Sequence, residues 1–151
     1  MKTKAVTIAV IADIHFGTSS LAPKRRCETS DILLMRTVCR LNKLVQPDIT
    51  VILGDVIDDG SSPDAEKNLL HIRSILDKLH SPYITVPGNH DNSPEAFYQV
   101  FARPNDIEDV AGLRLLSFVD QEMPGYNARR NDRDLDRIRT ARCGSPRYLD
   151  R

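Results

Sequence analysis

Three short apolar runs constrain this chain most: "VTIAVIA" at Val6 to Ala12, "ITVIL" at Ile49 to Leu53 and "YITV" at Tyr83 to Val86. They are rich in β-branched residues and show little alternation with polar ones, the pattern of strands buried on both faces of a parallel sheet. Between them lie stretches with helical periodicity. Ser30 stands as an N-cap before Leu34, Val38, Leu41 and Val45, with Pro47 just beyond; Ser62 and Pro63 open a second helix that carries Leu69, Ile72, Leu76 and Leu79 on one face. Parallel strands need such crossovers, so the order of elements predicts an α/β domain with an open, mostly parallel sheet flanked by helices. Ser93-Pro94-Glu95 opens a further short helix through Phe101, and Leu113 to Val119 reads as a fourth strand.

At 151 residues and 40% hydrophobic, residues 1–151 are expected to form one domain. Twenty-one Lys and Arg balance twenty-one Asp and Glu, so the molecule has no overall field to hold nucleic acid or a membrane surface. Four Phe, four Tyr and no Trp leave few rings for stacking bases, a second argument against a nuclease. Cys27, Cys39 and Cys143 are odd in number and unpaired in spacing, which points to a reducing compartment. Lys2 and Lys4 before "AVTIAVIA" look like a secretory leader, but the run is short and leads straight into Asp13; it is read as a strand and the protein as cytoplasmic. No stretch approaches the ~20 apolar residues of a membrane span. From Arg129 to Arg151 eight arginines face four aspartates, and Asp132 to Arg142 has Leu135 and Ile138 at helical spacing, the mark of a solvated amphipathic helix.

Right-handed crossovers bring the carboxyl ends of successive parallel strands to one edge, where such sheets bind ligands. Each of the three runs ends in a polar cluster: "DIH" at Asp13 to His15, "GDVIDDG" at Gly54 to Gly60, "GNHD" at Gly88 to Asp91. Singly, each is a turn or a cap. Together they place Asp13, His15, Asp55 and Asn89 on one edge, a mixed oxygen and nitrogen set suited to manganese, iron or zinc. Asp55, on the central of the three strand ends, is positioned to bridge two ions about 3.5–4 Å apart. Gly54 and Gly88 allow a sharp turn with no Cβ in the way. His71 and His80 fall on the outer part of the second helix and are assigned no role.

In this order, the three clusters resemble the calcineurin-like metallophosphoesterases, whose signature is Asp-x-His, Gly-Asp-x-x-Asp and Gly-Asn-His-Asp/Glu. The resemblance covers roughly the first 120 residues. It implies the first half of an αββα sandwich and hydrolysis of phosphomono- or phosphodiesters, nucleotide phosphodiesters among them, by attack of a metal-bound hydroxide. It also implies two divalent metal ions (Mn, Fe, Zn or Mg), with Asp13 and His15 on the first, Asp55 bridging and Asn89 on the second. His90 would face the phosphate of a small phosphorylated substrate, Asp91 would orient His90, and Asp58 would support the site.

The resemblance also has a gap. The family's later metal-binding histidine and its Gly-His-x-His motif have no counterpart, since no histidine follows His90. The chain is therefore expected to be truncated at its C-terminus, to hold a second ion poorly, and to self-associate through a sheet face left uncovered. The rival reading is a non-catalytic fragment that acts as a binding or interaction unit.

Overall fold

The computed structural model describes residues 5–18, 20, 22, 24–125 and 127–141. The arginine-rich end beyond Ala141, with Cys143, lies outside the described residues, as does the segment containing Lys2 and Lys4. Three parallel strands, β1 (Ile8–Ile11), β2 (Ile49–Leu53) and β3 (Tyr83–Val86), form one sheet in that order. Ile11 pairs with Ile52, and Ile52 with Thr85, so one row of side chains crosses the sheet. The fold is α/β, with the crossovers supplied by α1 (Ser30–Arg40) and α2 (Ala65–Leu76).

Both crossover helices and α3 (Pro94–Val100) pack around one core built of Leu34, Val38, Ile52, Leu69, Ile72, Leu76 and Phe97. The opposite face is more open: Ile8, Val10 and Leu53 are 38%, 60% and 53% exposed, although Ile49, the ladder partner of Ile8, is buried. No helix among the described residues is long and apolar enough to cross a membrane.

Helix ends depart from the periodicity for local reasons. A 3-10 turn at Cys27–Thr29 precedes α1, so Thr29 and not Ser30 stands at its cap, without a side-chain cap bond. The helix then widens into a π turn, Leu41–Val45, closed by Gln46 in the left-handed region. The extra residue in that turn rotates the apolar face, leaving Leu41 buried and Val45 exposed. α2 begins at Ala65, after Ser62 and Pro63 are used in turns, and stops at Leu76 before Leu79. α3 matches its signals: Ser93 accepts from the Ala96 N–H and Pro94 takes the first turn.

The expected fourth strand is corrected. Leu113–Leu115 is β5, which pairs antiparallel with β4 (Glu108–Val110) in a separate two-stranded hairpin. Ala111 and Gly112, both at positive φ, make the two-residue turn that lets these strands pair locally instead of crossing to the sheet. Arg114 and Asp109 then pair across the hairpin at 2.7 Å. A second hairpin, β6 (Gln121–Met123) and β7 (Asn127–Arg129), leads into α4 (Asp132–Thr140), which Asn131 caps by accepting from Asp134 N–H. Leu135 and Ile138 on α4 remain 40% and 44% exposed.

Phe97 has no exposed surface and stacks on Phe101 with ring centroids 4.8 Å apart. Phe97→Ala should therefore lower unfolding free energy by about 3–5 kcal/mol in urea titrations, while Leu44→Ala on the outer surface should change it by less than ~0.5 kcal/mol.

Candidate metal centre

The site is built where the loops after β1 and β2 continue to pair beyond their strands. His15 N–H donates to the Asp55 carbonyl (2.8 Å), Phe16 N–H to Val56 (3.1 Å) and Asp58 N–H to Phe16 (3.0 Å). To keep pairing while turning the side chains into the cleft, Asp13, His15 and Asp55 adopt φ of 56°, 47° and 50°. Left-handed backbone at a non-glycine residue costs roughly 1–3 kcal/mol and clusters at functional sites. Three such residues at one edge are three of the expected ligands.

Their side chains converge. Asp13 Oδ1 and Asp55 Oδ2 lie 3.7 and 3.6 Å from His15 Nε2. His15, Asp55 and His90 each present a ligand atom within 4.8 Å of the others, and the two imidazoles meet edge to face at 4.7 Å. Among the described residues, the group close enough to hold a divalent cation is His15, Asp55 and His90, while Asp13 Oδ1 reaches His15 Nε2 from outside that group. Burial, and next the Arg25 guanidinium, push the His15 pKa down, against the pull of Asp55 and Asp58; the neutral ring is the form that ligates metal.

A family model described as calcineurin-like phosphoesterase matches residues 6–141. The chain belongs to that family. No curated protein matches it.

In this calcineurin-like phosphoesterase, fully buried Asp58 serves both histidines. Its carboxylate Oδ1 is 3.3 Å from His15 Nδ1, and its backbone oxygen is 2.8 Å from His90 Nδ1. A carbonyl only accepts, so His90 carries its hydrogen on Nδ1 and its Nε2 is left for other chemistry.

Asp91 is the residue expected to orient His90. The Asp91 carboxylate accepts from the backbone N–H of Val56 (2.9 Å), Ile57 (3.0 Å) and Gly88 (2.8 Å), and so ties the second strand-end loop to the third. Burial raises its pKa to about 6, against the opposing pull of those three donors. Asn89 is exposed and lines the wall of an adjoining cleft. His71 bridges the crossover helices, its Nε2 3.0 Å from Asp31 Oδ2, and His80 N–H donates to Asn42.

Arg25 is the residue that sequence reasoning missed. Its NH1 donates to Asp58 Oδ1 and lies 3.1 Å from His15 Nδ1, which supplies a countercharge for the buried carboxylate. The "KRRC" run holds two consecutive arginines, and nothing in it tells which one turns inward.

The loops touch so closely that glycine is required at the crossing. A Cβ on Gly88 would stand 2.2 Å from Asp55 Oδ1 and 2.4 Å from Asp55 N, and one on Gly54 would stand 2.7 Å from the Gly88 Cα. Gly88→Ala should therefore displace the Asp55 carboxylate and weaken Mn²⁺ binding by at least ~10-fold in calorimetry, with the far-ultraviolet circular dichroism of the core retained.

Proposed function

We propose that this chain is a metal-dependent phosphoester hydrolase in which Asp13, His15 and Asp55 hold one divalent ion, and Asp55 with Asn89 contacts a second. The observation that carries this reading is the approach of Asp13 Oδ1 and Asp55 Oδ2 to His15 Nε2 at 3.7 and 3.6 Å, at an edge whose backbone is held in left-handed turns. When bound, such ions supply Lewis-acid polarisation of phosphoryl oxygens and an activated water.

The chain's own residues do the rest. Asp58 accepts the His90 Nδ1–H through its backbone oxygen, so the ring is fixed whether or not Nε2 carries a proton. A protonated Nε2 can then deliver that proton to the departing alcohol oxygen, a role typically worth ~10²–10⁴ in rate. Asp55 Oδ1 accepts the His90 backbone N–H at 3.1 Å, which fixes the bridging carboxylate relative to the histidine. Small phosphomonoesters and phosphodiesters, nucleotide phosphodiesters among them, are the proposed substrates.

Hydrolysis of bis-p-nitrophenyl phosphate with added Mn²⁺ tests the activity. Asp55→Asn should abolish metal binding, because an amide NH₂ replaces a ligating oxygen and the bridging charge is lost. His90→Ala should leave Mn²⁺ affinity within about twofold and lower kcat by at least ~10². Unchanged affinity in the first variant, or loss of affinity in the second equal to its loss of turnover, would overturn the assignment.

The more open sheet face supports a second proposal, that two copies of the chain associate through Ile8, Val10 and Leu53. Light scattering should show a concentration-dependent rise in mass that Leu53→Lys suppresses. A monomer at all concentrations would refute it.

A further inference from the structure

A cleft of about 730 Å³ lies beside the strand-end edge, between the turn after β3 and the β6–β7 hairpin. Its volume is within the ~300–1,000 Å³ typical of small-molecule sites. It borders the proposed metal centre through Asn89: Gly88, Asn89 and Asp91 form one wall, and the hairpin residues Gln121, Glu122 and Asn127 form the other.

The chemistry of the lining is one-sided. Among the described residues no Lys, Arg or His borders the cleft, whereas amide side chains are frequent: Asn92 on the β3 side, Gln121 and Asn127 on the hairpin. Asn127 spends its NH₂ on the Pro124 carbonyl at 3.1 Å, so its Oδ1 is the atom suited to accept from a ligand hydroxyl. Arg129, opposite Gln121 on β7, does not border the cleft, and Arg130 is drawn aside by Asp120, which both Nε and NH2 reach at 2.9 Å, and by the Phe118 ring 4.2 Å away. That pairing offsets the charge of Asp120, and Asp91 is committed to three backbone donors. Glu122 is left as the exposed lining carboxylate without an ion pair among the described residues.

We propose that this cleft receives the alcohol part of the phosphoester and selects an uncharged, hydroxyl-bearing group, such as a glycerol, sugar or nucleoside, over one bearing a further phosphate or carboxylate. The proposal deepens the phosphoesterase reading and rests on it. A second anionic group would lose water on entering and meet no countercharge, only Glu122; a hydroxyl can donate to Asn127 Oδ1 and accept from the Asn92 or Gln121 amide. The metals would attract the scissile phosphate, and the cleft would exclude any further anion.

Three phosphomonoesters of similar size separate the possibilities: glycerol 3-phosphate is neutral in its alcohol part, 3-phosphoglycerate anionic and phosphoethanolamine cationic. With Mn²⁺-loaded protein, kcat/KM for glycerol 3-phosphate should exceed that for 3-phosphoglycerate by at least ~10-fold, the order expected for one uncompensated like charge at a half-buried site. Glu122→Gln should narrow that ratio. In wild-type protein, the side-chain amide ¹⁵N–¹H resonances of Asn92, Gln121 and Asn127 should shift with glycerol 3-phosphate and stay still with inorganic phosphate, which reports the cleft independently of turnover. Shifted amides with neither the three esters nor bis-p-nitrophenyl phosphate hydrolysed would sink the phosphoesterase reading and keep the cleft. Equal kcat/KM for the neutral and anionic esters, a preference for phosphoethanolamine, or amide signals that do not move would overturn the cleft assignment.

Discussion

The arrangement of this site depends on one carboxylate. Asp91 accepts three backbone N–H groups, two from the loop after β2 and one from the turn after β3, and so ties these loops together beyond the last ladder pair, Leu53 with Val86. Gly54 and Gly88 permit the crossing it closes, because a side chain at either would collide with the opposite loop. Asp55 owes its place to that contact: its Oδ1 accepts from His90 while its Oδ2 faces His15. A buried carboxylate is an expensive device in an apolar core, and here three backbone donors offset only part of its burial, the remainder showing as a pKa raised to about 6.

Strain and support meet at the same edge. Asp13, His15 and Asp55 are held in left-handed backbone, while the continued pairing of residues 15–16 with 55–58 over-determines their positions. Side chains so constrained need little reorganisation to receive a cation, which is what a metal centre requires of its first ligands. Asp58 extends the same economy outward. One residue orients two imidazoles, through its carboxylate for His15 and its carbonyl for His90, and Arg25 supplies the countercharge that makes its burial tolerable.

The helices explain why the edge is rigid. α1, α2 and α3 converge on one face of the sheet, with Ile52, Ile72, Leu76, Val38 and Phe97 all at 1% exposure or less, so the strands that carry the ligands cannot slide. The other face, with Val10 and Leu53 open, contributes nothing to that rigidity. Past β3 the chain builds local hairpins, and one of them walls the cleft beside the site.

Periodicity and motif order were enough to read the three strands, the two crossover helices and the approach of His15 to Asp55, because a parallel sheet leaves few places for strand ends to go. The capping of α3 by Ser93 was equally legible, since cap chemistry is local. What the sequence could not show depended on contacts between residues far apart. Leu113–Leu115 has the apolar make-up of a core strand, yet a two-residue turn lets it pair with Glu108–Val110 at far lower entropic cost than a crossover. Asp91 stands next to His90 in the chain, but its carboxylate is taken by donors 34 and 35 residues away, Ile57 and Val56. Which of two adjacent arginines turns inward was decided by the buried charge of Asp58, and a charge's burial exists only once the chain has folded around it.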